Sequence, residues 1–375
     1  MSVVLSGTGD HPQARMVLST ALESGQPSHA YLFHGPAGTG KRTVARAFAA
    51  ELLAEGSADP DEVRARVMHG AHPDLTWVKP SGAHVMRVDD VEGPVVNAAT
   101  RTPFEARRRV FVLERVDTMN DEVANRLLKT LEEPAAYVHL ILMTDALGRV
   151  LETVISRCQL VRFEPLPAAT IASHLVADGV PAERAEACAR LALGNAARAT
   201  YLASEEGDEL RAEVELMVAA ALAGGGDAGA EPWRPLLARA ESQGAAAEEA
   251  VAAEAKRRLE LEPKGRERRT IEKEFEESAK RDGRRARRES LELSLTLAAL
   301  TFRDLVCIAE DAPEAVLASD RAPALAEQAR SRDPRRLREA AERCEDVRQA
   351  LELNVTEDLA LSALGFRLAA LAGAR

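Results

Sequence analysis

A chain of 375 residues is long enough for two or three domains, and a hydrophobic fraction of 46% is enough to build their cores. Only 3% of residues are aromatic, so those cores consist mainly of Ala, Leu and Val, which favours helices. A formal net charge of −11 argues against a surface that wraps nucleic acid as a whole.

No apolar stretch follows a basic start, and no run of about 20 apolar residues is present. The expectation is a cytoplasmic protein without membrane contact. Cys158, Cys188, Cys307 and Cys344 are scattered and not at metal-ligand spacing, as in a reducing compartment.

Residues 1–165 alternate short β-like runs with amphipathic stretches. Strands are expected at 29–33, 74–78, 109–113, 139–143 and 160–163, and helices near 41–54, 89–101, 120–132 and 147–154. This alternation predicts an α/β core with a mostly parallel sheet covered on both faces. From Pro165–Pro167 to about Leu202 the pattern is helical, long enough for three helices, with a turn around Gly179–Pro181. The stretch 223–232 reads as a flexible break. Residues 253–289 carry dense mixed charge, interrupted at Pro263 and Gly265. They read as a solvated helical extension, with a basic patch for DNA or a partner as the other reading. Apolar helical periodicity returns over 289–374, predicting a packed helical domain joined by a helix at 209–222. The expected division is 1–165 α/β core, 166–206 three-helix segment and 207–375 all-α C-terminal domain, with a charged helical insertion near 243–289.

The segment GPAGTGKRT, Gly35 to Thr43, lies between the first apolar strand and a helical run. That is the context of a phosphate-binding P-loop, in which backbone N–H groups point at phosphate from a helix N-terminus. Gly38 and Gly40 permit close backbone approach, and Lys41 adds a point charge for the β- and γ-phosphates. Arg42, however, stands where a Ser or Thr hydroxyl normally holds Mg²⁺.

The run RVFVLERVD, 109–117, has the form of the acidic strand of an ATPase. Glu114 fills the position of the carboxylate that helps hold Mg²⁺. Arg115 fills the position of the base, and an arginine stays protonated. Two independent elements are therefore altered, and hydrolysis at this site is not expected. Nucleotide binding without turnover is still compatible with Lys41.

NRLLKTLEEP (125–134), HLILMTD (139–145) and TVISRCQLVRFEPL (153–166) follow in succession, and HPDL occurs at 72–75. Together with the P-loop they resemble the clamp-loader branch of the AAA+ ATPases, the γ/τ and δ′ group of bacterial DNA polymerase III. The resemblance covers about residues 1–205 and is only loose beyond. It implies an AAA+ core, a lid and a helical collar.

The resemblance also implies roles for single residues. Ser156-Arg157-Cys158 matches a motif whose arginine enters a neighbouring subunit's ATP site as an arginine finger. Thr144 matches the polar sensor of γ-phosphate, and Arg198 in GNAARA matches the lid arginine. A degenerate site beside an intact S-R-C fits the non-hydrolysing δ′ branch. The implied partners are γ/τ and δ subunits, with the sliding clamp and primed DNA reached through the complex. The degenerate site is compatible with ATP or ADP, and both its occupancy and the place of Mg²⁺ are open. The alternative is an active AAA+ ATPase, a γ-like subunit or another DNA-acting motor, in which Thr43 supplies the hydroxyl and Glu122 or another acid the base. Many relatives carry a four-cysteine zinc module after the P-loop helix. Here that stretch holds only His69 and His72, so no zinc is expected.

Overall fold

The computed structural model describes residues 5–82, 85–224, 231–260, 266–351 and 355–372. They group into two compact units, Met1–Thr170 with Gly194–Ala197, and Ile171–Leu193 with Arg198–Arg375. The three-part division expected from sequence is finer than this grouping.

The first unit begins with α1 (Pro12–Glu23), β1 (Ala30–His34), α2 (Lys41–Ala54), α3 (Pro60–Met68) and β2 (Leu75–Val78). It continues with α4 (Val88–Val91), β3 (Arg109–Leu113), α5 (Asp121–Glu132), β4 (Val138–Thr144), α6 (Glu152–Ile155) and β5 (Gln159–Arg162). The strands form one parallel sheet in the order β2-β3-β4-β1-β5.

Side chains alternate between the two faces of each strand. Tyr31, Phe33, Val110, Val112, Ile141 and Met143 pack with residues of α1, α2 and α3. Ala30, Leu32, Phe111, Leu113, Leu140 and Leu142 pack on the other face with Val91, Val123, Leu127 and Val154. Both faces are covered, so β4 is buried along its whole length.

Local sequence explains the element limits. The Asn120 side chain accepts the Val123 N–H at 3.0 Å to start α5, and Asp121 and Glu122 suit the positive end of its dipole. Asp59 caps α3 in the same way, ahead of Pro60. The helix expected over 89–101 is different in kind. It opens as α4 and widens into a π-helix over Glu92–Asn97. Pro94 has no N–H and its ring crowds the preceding turn, so regular i→i−4 bonding cannot run through it. The helix expected over 147–154 is two short pieces, a 3₁₀ turn at Leu147–Arg149 and then α6. Val150 and Leu151 between them are extended, and Val150 is buried in the core.

The helices that follow are α7 (Ala168–Ala177), α8 (Ala182–Leu191), α9 (Ala196–Ala203), α10 (Glu205–Leu222), α11 (Arg234–Glu260), α12 (Arg266–Ala309), α13 (Ala322–Ala329), α14 (Pro334–Leu351) and α15 (Glu357–Ala372). The core of the second unit uses Leu210 and Val214, Leu295 and Phe302, Cys344, and Leu364 and Leu368. Asp304 is fully buried and accepts the N–H groups of Leu317 and Ala318 at 2.9–3.0 Å. The charged stretch expected as a helical extension lies on α11 and α12. Gly244 faces Gly283 closely enough that an added Cβ would sit 3.0 Å from the Gly283 carbonyl. Residues 225–230 of the expected break, and Pro263 and Gly265, lie outside the described residues. No helix among the described residues is long and apolar enough to cross a membrane.

Candidate nucleotide site

The connection from β1 to β2 passes over β4 and β3, whereas that from β4 to β5 passes over β1. Open parallel sheets bind ligands at the carboxyl edge, where connections diverge in this way. The P-loop leaves β1 at that edge, Glu114 leaves β3, and Thr144 ends β4.

The loop is held from two sides. Gly35 has φ 145°, and a Cβ there would collide with the Phe163 carbonyl. Gly38 has φ 75°, and a Cβ there would collide with the Asn195 side chain. Gly40 caps α2 with φ 83°. Thr39 Oγ1 donates to Pro36 O at 2.9 Å and closes the turn. The buried Lys41 donates to Gly35 O at 2.5 Å and Pro36 O at 2.6 Å, and its Nζ lies 2.7 Å from Asp145 Oδ1. An ammonium has three N–H donors, so these partners account for all of them. His11 and His34 flank the loop, and burial lowers both their pKa values.

Arg42 is ion-paired with Glu114, whose side chain is only 5% exposed. The second Glu114 oxygen accepts Trp77 Nε1–H at 2.6 Å. The Arg46 guanidinium stacks on the Trp77 ring, 4.8 Å from its centroid. Arg42, one of the two altered positions, thus directly contacts Glu114, the carboxylate that precedes the other, Arg115. Mg²⁺ requires oxygen ligands in near-octahedral array. A guanidinium offers donors only, and both oxygens of Glu114 are committed, so the residues present do not fit a Mg²⁺ ion. Thr43 is exposed, with Cγ2 3.1 Å from where a Gly7 Cβ would be. It is turned toward the N-terminal segment. Glu122 is exposed in the first turn of α5.

Arg115 adopts a left-handed conformation, φ 54° and ψ 49°, uncommon for a residue with a side chain. It opens a 3₁₀ turn, Val116–Thr118, that buries Asp117. Asp117 Oδ1 accepts the Thr144 hydroxyl at 2.8 Å, and Thr144 Oγ1 accepts the Ala146 N–H at 3.0 Å. Asp117, Asp145, Trp77 and Asn195 complete the cluster and were not singled out from sequence. The two aspartates adjoin recognised motifs. Trp77 has no motif, and only strand pairing brings it beside Glu114.

Arg157 lies elsewhere. It precedes β5, so it sits at the amino edge of the sheet, opposite the P-loop. Its guanidinium donates to Thr153 O at 2.8 Å and pairs with Glu132 at 2.6 Å, while staying 34% exposed. Arg198 belongs to the second unit. Burial first, and the like charge of Arg348 second, lower its pKa.

The histidines after α2 are engaged. His69 Nδ1 is 2.7 Å from Ala65 O. Buried His72 accepts the Asp74 N–H at Nδ1, 3.1 Å, and its Nε2 faces Glu105 at 3.1 Å. Asp74 is fully buried and accepts the N–H groups of Phe104, Glu105 and Ala106 at 2.6–2.9 Å. Among the described residues no group of three or more His, Cys, Asp or Glu could hold a metal ion.

Residues 10–167 match the family profile described as DNA polymerase III, delta subunit. The chain is 34% identical over 208 residues to the DNA polymerase III subunit δ′ of Bacillus subtilis, covering 54% of this chain and 62% of that protein. It is 38% identical over 172 residues to the δ′ subunit of Pseudomonas aeruginosa, covering 44% of this chain and 52% of the relative. The matches therefore span a little more than half the length of those curated relatives. A solved DNA polymerase III γ-subunit-related protein of Thermotoga maritima aligns over 96% of this chain and 99% of its own, with 13% identity and a TM-score of 0.46. With its P-loop, acidic strand and S-R-C motif on a parallel sheet, the chain is similar over residues 10–167 to the clamp-loader subunits of DNA polymerase III, δ′ subunits among them.

Proposed function

We propose that the chain is a non-hydrolysing stator of a DNA polymerase III clamp loader. The observation that carries this reading is the Arg42–Glu114 ion pair. It puts a fixed guanidinium on the carboxylate that would otherwise serve Mg²⁺, and Arg115 leaves the neighbouring position without a base. ATP or ADP held at Lys41 would be a passive ligand. Arg198 is assigned to that nucleotide by its motif alone.

In this role Arg157 acts in trans. Its position at the edge opposite the P-loop supports service to another subunit's nucleotide. There it would stabilise charge developing on the transferred phosphoryl group, a contribution of roughly 10³–10⁵ in rate. The partners are γ/τ-type and δ-type subunits held through the C-terminal helices, and the assembly loads the sliding clamp on primed DNA.

ATP hydrolysis by the purified chain, with Mg²⁺ and primed DNA, tests the reading against a Lys41→Ala control. The expected result is no turnover above the control. Turnover that disappears with Lys41 would make the chain an active ATPase and end the stator proposal.

A further inference from the structure

We infer that Arg42 is a tethered replacement for the divalent cation, so that this chain's phosphate site works without metal. The inference rests on the non-hydrolysing reading and adds what the site does in place of metal chemistry.

Glu114 is buried where β3 ends. A carboxylate with 5% of its side chain exposed needs a compensating charge, and a neutral indole N–H does not supply one. Arg42 supplies it from the first turn of α2, on the Glu114 oxygen that Trp77 leaves free. The charge that an ATPase recruits from solution is here covalently attached.

The surroundings hold the guanidinium in place. Trp77 donates to one side of the carboxylate, and Arg46 closes over the indole from the next turn of the same helix. Arg42 Nη2 is on Glu114, while the side chain remains 54% exposed beside the P-loop. A guanidinium has five donors in one plane, so it can hold a carboxylate on one edge and present N–H groups to phosphate oxygens on another. A Mg²⁺ ion at the same carboxylate would meet a like charge and lose an oxygen ligand. Arginine and metal are alternatives at this position.

Thermal melting of the full chain with saturating ADP, in Mg²⁺ or in EDTA, tests the inference. The wild type is expected to melt at the same temperature in both. Arg42→Thr restores a hydroxyl and frees Glu114, and is expected to melt roughly 2–4 °C higher in Mg²⁺ than in EDTA. Adding Glu114→Gln should abolish that difference. Arg42→Lys keeps a cation on Glu114 and should behave as the wild type, which preserves the test should the threonine variant not fold. A Mg²⁺-dependent shift in the wild type or in Arg42→Lys overturns the inference, as do coincident melts of a folded Arg42→Thr. The stator reading fails by a different observation, ATP turnover by the wild-type chain.

Discussion

Asp74 and Glu114 solve the same problem differently. Both are carboxylates nearly removed from water, one held by backbone and the other by a guanidinium. Burial alone would raise the Asp74 pKa, but the N–H groups of Ala106, Phe104 and Glu105 outweigh it, and the value is lowered. A lowered folded-state pKa gives stability that is complete above the unfolded value of about 3.9 and is lost as pH falls through the folded value. Asp74→Ala should therefore cost about 3 kcal/mol at pH 7, measured by urea unfolding. The gap to wild type should close on acidification below about pH 4. A gap unchanged in acid would mean that the loss comes from packing and not from the carboxylate. The thiols give a second residue-scale expectation. Burial pushes Cys158 and Cys344 up to about 12 and raises Cys188. At pH 8 Cys158 and Cys344 should alkylate roughly 100-fold more slowly in the folded chain than in denaturant, and Cys188 should also be slowed, as peptide mapping would show.

At the scale of elements, buried charge ties α10 of the second unit to the 3₁₀ turn Ser319–Arg321. Arg211, with 3% of its side chain exposed, makes a bidentate pair with Asp320 at 2.6 and 2.8 Å. Removing one partner leaves the other charged and buried, a cost of about 3–5 kcal/mol. Arg211→Met or Asp320→Leu alone should lower stability by about that amount, and the double variant should recover most of it. Additive losses in the unfolding free energies would count against a coupled pair. Sequence could not have revealed this bond, because its partners are 109 positions apart with no motif at either end. The parallel strands were legible for the opposite reason, since their apolar runs are short and separated by helical periodicity. The π-helix over Glu92–Asn97 was not, because a helical apolar period survives the extra residue while the bonding does not. The P-loop and the acidic strand could be read residue by residue. That Arg42 and Glu114 touch depends on α2 and β3 meeting at one sheet edge, which no local pattern encodes.

At the scale of the whole molecule, the proposed role requires Arg157 to leave its own chain's contacts and enter a neighbour's site. The structure holds it by an ion pair with Glu132 at 2.6 Å, with side-chain exposures of 34% and 47%. Exposed pairs of this kind are worth about 0–1 kcal/mol, so releasing the guanidinium is cheap beside what a finger contributes, roughly 10³ in rate or more. In the proposed role Glu132 would therefore be a parking place for Arg157 and not part of the chemistry. Two substitutions at one ion pair should then have opposite consequences in the assembled loader. Arg157→Ala should depress DNA-stimulated hydrolysis at the neighbouring site while leaving assembly intact. Glu132→Ala should leave hydrolysis at or slightly above wild type. Arg157→Lys should resemble the alanine variant, because an ammonium lacks the planar fork that spans phosphoryl oxygens. Single-turnover hydrolysis by reconstituted complexes, with assembly checked by gel filtration, separates the cases. If Glu132→Ala and Arg157→Ala depress hydrolysis equally, the pair is structural and the finger lies elsewhere. If only Arg157→Ala does, the amino edge of this sheet is where the chain acts on its neighbour.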